Sequence, residues 1–152
     1  MIKTHHKAAW ALLALAFSLA AQAADPAGMV KTSSGQVSIE RGGQKLIAVV
    51  GTQVYVSDKL RTAGDSTVGV TLRDSTLLSA GPNSLIIIDK FAYDTTSQAG
   101  SMSIGIRKGT LAVASGKIAK QTPESVDFHT PTSVLGVRGT EFAVEVGGDN
   151  EE

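Results

Sequence analysis

Beyond Ala24, hydrophobic and polar side chains alternate with a period of two. Val37 and Ile39 alternate with Gln36, Ser38 and Glu40, and Val68, Val70 and Leu72 with Thr67, Thr71 and Arg73. Met102, Ile104 and Ile106 alternate with Ser101, Ser103 and Arg107, and Phe142, Val144 and Val146 with Glu141, Ala143 and Glu145. Successive side chains on a strand point to opposite faces, so each run predicts a strand with one face buried and one wet. Leu85-Ile86-Ile87-Ile88 is apolar throughout and predicts a central strand covered on both faces. Between the runs lie Arg41-Gly42-Gly43-Gln44, Ala63-Gly64-Asp65-Ser66, Gly81-Pro82-Asn83-Ser84 and Lys108-Gly109-Thr110. Glycine reaches positive φ without steric cost, and Asn or Asp bonds its own backbone, so these segments predict turns.

Strand-like runs recurring about every 8–12 residues point to an all-β fold. The expectation is a compact sandwich, a jelly-roll-like fold or a short β-roll of about 10–12 short strands. No stretch of the body keeps the i, i+3, i+4, i+7 apolar face of a helix, so little or no helix is expected there. Ala114–Glu124, with its glycine, lysines and proline, reads as a loop.

The first 23 residues break the pattern. Met1–Lys7 is basic through Lys3 and Lys7, Ala8–Ala21 carries no charge, and the small residues Ala21 and Ala23 flank Gln22. This is the layout of a secretory signal peptide, with Ala21 and Ala23 marking the cleavage site. Its apolar run of about 14 residues falls short of the roughly 20 that span a bilayer, so no stable membrane span is expected after cleavage. The expected organisation is a cleaved leader at 1–23, a β domain at 24–146 and an acidic, flexible tail at 147–152. The product is expected to be periplasmic or secreted.

Removing 23 of the 152 residues leaves 129, and losing Lys3 and Lys7 turns the 14:14 balance into 12 cations against 14 acids, net −2. A small nucleic-acid-binding domain carries a basic excess, so that class is excluded. The absence of cysteine excludes disulfides, thiolate metal sites and a cysteine nucleophile. All sixteen glycines follow residue 23, as suits a compact sheet stack with tight corners. The one histidine left after cleavage, His129, stands two residues from Asp127, so on a strand both share a face with Phe128 turned inward. Lone His–Asp proximity reads as a surface pair rather than a metal site or a base for serine. Ser103 lacks the G-x-S-x-G elbow, and Ser115-Gly116-Lys117 lacks the phosphate-loop spacing. Asp58, Asp65, Asp74 and Asp89 have no calcium-loop spacing and read as turn residues. No catalytic, cofactor or metal site is assigned, and the chain is expected not to be an enzyme.

An ordered set of phrases carries more than composition. Gly35-Gln36-Val37-Ser38-Ile39 is followed by Gly51–Thr62 (GTQVYVSDKLRT), Ser66–Leu77 (STVGVTLRDSTL) and Gly81-Pro82-Asn83-Ser84. Then come Arg107-Lys108-Gly109-Thr110-Leu111 and Thr130–Phe142 (TPTSVLGVRGTEF). Over about residues 28–146 this order resembles the FecR domain. That family opens on a G-x-V-x-V strand and carries a "G-D" phrase, a "D-G-S" strand end and an R-G-x-L phrase. It closes on T-P-x-A-x-x-x-V-R-G-T-x-F. The motif residues here are Thr130, Pro131, Val137, Arg138, Gly139, Thr140 and Phe142, with a structural or interaction role. The chain departs at Ser57, where "G-D" has glycine, and at Asp74-Ser75, which lacks the glycine of "D-G-S". Pro131 fixes φ and launches an extended segment, and Arg138 between turn glycines reads as structural.

The resemblance implies signalling. Founding members are inner-membrane transducers whose periplasmic FecR domain receives a signal from an outer-membrane receptor and whose cytoplasmic segment controls a sigma factor. The expectation for this chain is a free-standing exported FecR-like domain that binds an envelope protein partner, through an exposed sheet face or by strand addition. The alternative is a structural or carbohydrate-associated envelope protein. Tyr55 and Tyr93 are the only tyrosines available as sugar platforms, and no tryptophan follows the leader.

Overall fold

The computed structural model describes residues 23–138 and 140–147. The leader up to Gln22, with its Ala21, the motif glycine Gly139 and the tail from Gly148 lie outside the described residues. The described chain forms β1 (Gly28–Ser34), β2 (Val37–Arg41), β3 (Gln44–Ile47), β4 (Gln53–Val54), β5 (Lys59–Thr62), β6 (Thr67–Leu72), β7 (Leu77–Ala80) and β8 (Leu85–Tyr93). It continues through β9 (Gly100–Ala114), α1 (Lys117–Gln121), β10 (Val126–His129), β11 (Val134–Gly136) and β12 (Glu141–Val146). The fold is all-β, as the alternation predicts. On β6, for example, Val68, Val70 and Leu72 are buried while Thr67, Gly69 and Thr71 are not.

The strands form two layers that share β9. One layer runs β3-β2-β5-β8-β9-β10-β11 and the other β4-β1-β6-β7-β9-β12. Residues 100–108 of β9 pair with β8 and, in parallel, with β10; residues 109–114 pair antiparallel with β7 and β12. The sheet is therefore continuous and rolled over on itself. Inside lies a single apolar cluster that includes Ile39, Ile86, Ile104 and Phe128 from the first layer and Val30, Leu72 and Leu111 from the second. Each such side chain contributes about 1.5–3 kcal/mol on leaving water.

Three local expectations are corrected. Lys108-Gly109-Thr110 is not a turn: β9 runs straight through it, 15 residues long. Gly109, at φ +85°, is where the strand passes from one layer to the other, and a Cβ there would collide with Ser84. Leu85–Ile88 is central, between β5 and β9, but sealed on one face only: Ile86 and Ile88 are buried, Leu85 and Ile87 half-buried. Ala114–Glu124 is not a plain loop, since it holds the one-turn α1 and a 3-10 turn at Pro123–Ser125. Tertiary contacts make that turn. The Asp74 carbonyl accepts from Lys117 N at 2.8 Å, its carboxylate accepts from Ile118 N at 3.2 Å, and Ile118 is fully buried. A single buried residue leaves no periodicity to read.

Candidate functional site

The closing motif wraps the end of the chain across both layers. Thr130 closes a tight turn: its N–H donates to the Ser133 carbonyl at 2.8 Å, and its Oγ1 accepts from Ser133 N at 3.1 Å. Pro131 sits exposed in that turn, which leads into β11 paired on β10. Val137 is buried, Arg138 and Thr140 are exposed, and the Thr140 carbonyl accepts from Ser115 N at 2.7 Å. Phe142, half-buried on β12, meets Phe128 edge-to-face at 4.9 Å and 79°. The described motif residues thus do not converge on one pocket; Val137 and Phe142 anchor, while the Thr130–Ser133 turn lines a hollow of about 520 Å³ with Arg107 and Lys108.

A polar cluster lies on the outer face of the first layer. His129 and Asp127 share that face and Phe128 is fully buried, as the strand pattern predicts. The structure adds Asp89 from β8 and Ser103 from β9, which the sequence order does not associate with them. His129 Nε2 is 3.1 Å from Asp89 Oδ2, and Nδ1 is 3.4 Å from Asp127 Oδ2. Ser103 Oγ donates to Asp127 at 2.7 Å and stands 3.4 Å from His129 Nδ1. The serine proton is thus held by a carboxylate, not the imidazole, in the middle of a strand paired on both sides. That is not an activated nucleophile with free oxyanion donors. The two carboxylates flank opposite ring nitrogens, and no group of three metal-ligating side chains converges among the described residues.

A third feature is a groove of about 700 Å³ over the outer face of β3, β2 and β5, walled by Ser38, Lys45, Ile47, Val49, Val50 and Arg61. Its rim is unusually apolar for a surface: Ile47 is 80% exposed, Val49 58% and Val50 62%. At the hairpin end of β2, Asp58, fully buried, accepts from Arg41 Nε at 2.8 Å, Arg41 Nη2 at 2.7 Å and Tyr55 N at 2.8 Å. The Asp58 hydrogen bond, aided by its charge, holds the Arg41 guanidinium above its ordinary pKa against the opposing effect of burial. Arg41 also lies 4.6 Å over the Tyr55 ring.

Among protein-family models, that of the FecR protein matches residues 58–151, more than half of the chain. The chain belongs to the FecR family. No curated protein and no solved structure matches it. The FecR match opens at Asp58 and takes in Asp74, the Arg107–Leu111 phrase and the closing motif; the Gly35–Ile39 phrase and most of Gly51–Thr62 precede it. The family is a regulatory one, which makes this a signalling-related domain.

Several FecR phrases have a structural explanation. Asp58 and Asp74, expected to be ordinary turn residues, are fully buried anchors. Asp58 joins β2 to the β4–β5 turn through Arg41. Asp74 accepts from Thr76 N, Thr76 Oγ1 and Ile118 N, tying the β6–β7 turn to α1. The glycine of R-G-x-L is the layer crossing at Gly109. Where the FecR pattern has glycine and this chain has Ser57 and Ser75, the backbone keeps a left-handed φ of +73° and +72°. Among the described residues no helix is long and apolar enough to cross a membrane.

Proposed function

We propose that this FecR-family chain is an exported, non-catalytic protein-interaction module of bacterial envelope sensing or signalling, periplasmic or secreted. The observation that carries the reading is the family match over residues 58–151. The proton held away from His129 at Ser103 supports a non-catalytic role, and the basic, uncharged, small-residue order of the leader supports export. The described motif residues serve the fold, Val137 and Phe142 in the core and Thr130 in a turn, while the exposed Arg138 is available to a partner.

Immobilised protein exposed to envelope extract is expected to retain a specific receptor-like or signalling protein. Retention on peptidoglycan or glycan alone would overturn the signalling role in favour of a structural one. The intact mass of the protein from the envelope fraction is expected to lack residues 1–23. An unprocessed, cytoplasmic product refutes the localisation.

A further inference from the structure

We propose that the outer face of β3, β2 and β5 receives an acidic amphipathic helix of the partner protein, laid over the strands, an inference that rests on the interaction reading above. Ser38 and Glu40 on β2 alternate with the buried Val37 and Ile39, and Lys59 and Arg61 on β5 with the buried Leu60 and Thr62. On β3, Lys45 and Ile47 flank Leu46, which packs on the core. Register sets the outward side chains in two rows across the three strands: Ile47, Ser38 and Arg61 in one, Lys45, Glu40 and Lys59 in the other, nearer the β2–β3 hairpin. The rows are about 7 Å apart.

The first row is apolar on one side. Ser38 is buried at the floor of the groove, Ile47, Val49 and Val50 form its exposed wall, and Arg61 stands opposite. The second row borders an adjoining hollow of about 400 Å³ lined by Glu40, Lys45 and Lys59, and Lys45 lines both spaces. Glu40 is drawn to Arg61, whose Nε and Nη2 each lie 3.1 Å from its Oε1. Lys45 and Lys59 are exposed and form no ion pair among the described residues, so this row presents two uncompensated cations.

The backbone decides the form of the occupant. β2 is paired on both sides, to β3 and to β5, so a segment lying over it finds no strand edge to bond. Such a segment has to satisfy its own N–H and C=O groups, which a helix does and an extended chain does not. An apolar stripe on that helix fills the first row, and carboxylates beside the stripe meet Lys45 and Lys59. A second copy would bring its own Lys45 and Lys59 against these cations. A bilayer surface, flat on this scale, covers the mouth of the groove without filling it.

The test is fluorescence polarisation of the purified protein with a labelled peptide carrying leucine at helical spacing and glutamate beside it. Two counterparts are measured with it, one with lysine for glutamate and one interrupted by proline. The acidic peptide is expected to bind, the lysine counterpart about five- to tenfold more weakly, and the proline counterpart about tenfold more weakly. Ile47→Asp, at an exposed site and verified by circular dichroism to keep the fold, is expected to weaken binding about tenfold or more. Lys45→Glu combined with Lys59→Glu is expected to reverse the preference between the acidic and lysine peptides. Absence of binding at about 1 mM, the weak end of specific affinity, equal affinity for the proline peptide, or an unchanged affinity in Ile47→Asp overturns the proposal. So does sedimentation with phosphatidylglycerol vesicles, or a concentration-dependent dimer, that Ile47→Asp abolishes. Capture of an envelope partner that survives Ile47→Asp refutes the docking face and leaves the interaction role standing; peptide binding with no captured envelope partner does the reverse.

Discussion

Ser57 and Ser75 occupy the left-handed region, where a Cβ crowds the following carbonyl at about 1–2 kcal/mol per residue. Glycine removes that crowding but adds freedom to the unfolded chain worth roughly half as much. Ser75→Gly is therefore expected to raise stability by about 0.5–1 kcal/mol, and Ser75→Val to lower it by about 1–2, read as shifts in the urea midpoint at constant slope. At Asp94 the effect is one of pH. Its carboxylate accepts from Ser97 N at 2.9 Å and Thr96 N at 2.8 Å, which holds its pKa below the ordinary aspartate value. A depressed folded pKa means that the turn's extra stability is present above the unfolded pKa and fades as pH falls through the folded one. The Asp94 carboxyl resonance is expected to titrate below the ordinary range, with faster hydrogen exchange at the Ser97 amide as it protonates. A midpoint at or above the ordinary aspartate value would contradict the capped turn.

Among the elements, β9 carries the most consequence. Gly109→Ala combines a left-handed backbone with a collision at Ser84, whose Oγ bonds Thr110 N at 3.0 Å, so a loss of about 2–4 kcal/mol is expected in chemical denaturation. Asp74→Ala, which strands three donors in the interior, is expected to cost about 2–4 kcal/mol, with Asp74→Asn milder because one oxygen still accepts. The strands themselves were legible because a period of two survives in the residues, as in Met102, Ile104 and Ile106. The length of β9 was not, because Lys108-Gly109-Thr110 has the chemistry of a turn and only the neighbouring Ser84 reveals a crossing. The Asp89–Ser103–Asp127–His129 cluster stayed hidden for a related reason: two of its members share a strand, while the others arrive through pairing register, which alternation does not encode. Arg41 and Asp58 are likewise 17 positions apart and meet only after the hairpin folds.

For the molecule as a whole, the shared strand joins two layers that have no covalent staple, since the chain contains no cysteine. β7, β8, β10 and β12 all pair with β9, and both layers share one apolar cluster, so urea unfolding is expected to be one cooperative transition, with far-ultraviolet circular dichroism and tyrosine fluorescence superimposed. Separate midpoints would mean that the layers melt independently. The all-β class was readable at this scale because stability by burial and backbone pairing leaves its mark at every second residue. The closing motif was readable as a phrase with Phe142 on the inward face of a strand, but not as a strap anchored also at Val137.

The route by which the chain enters β9 has a practical corollary for anyone who needs to tag or divide this domain. A cut or insertion within residues 102–105 breaks into the pairing with β8 and β10, and one within 111–114 into that with β7 and β12. The Asp94–Ala99 reverse turn just upstream bonds only to itself at its ends, Asp94 N to the Ala99 carbonyl at 3.0 Å, and Asp94–Ser97 are exposed. Grafted sequence, new termini or a reporter belong there, on the slack before the spine rather than on the spine.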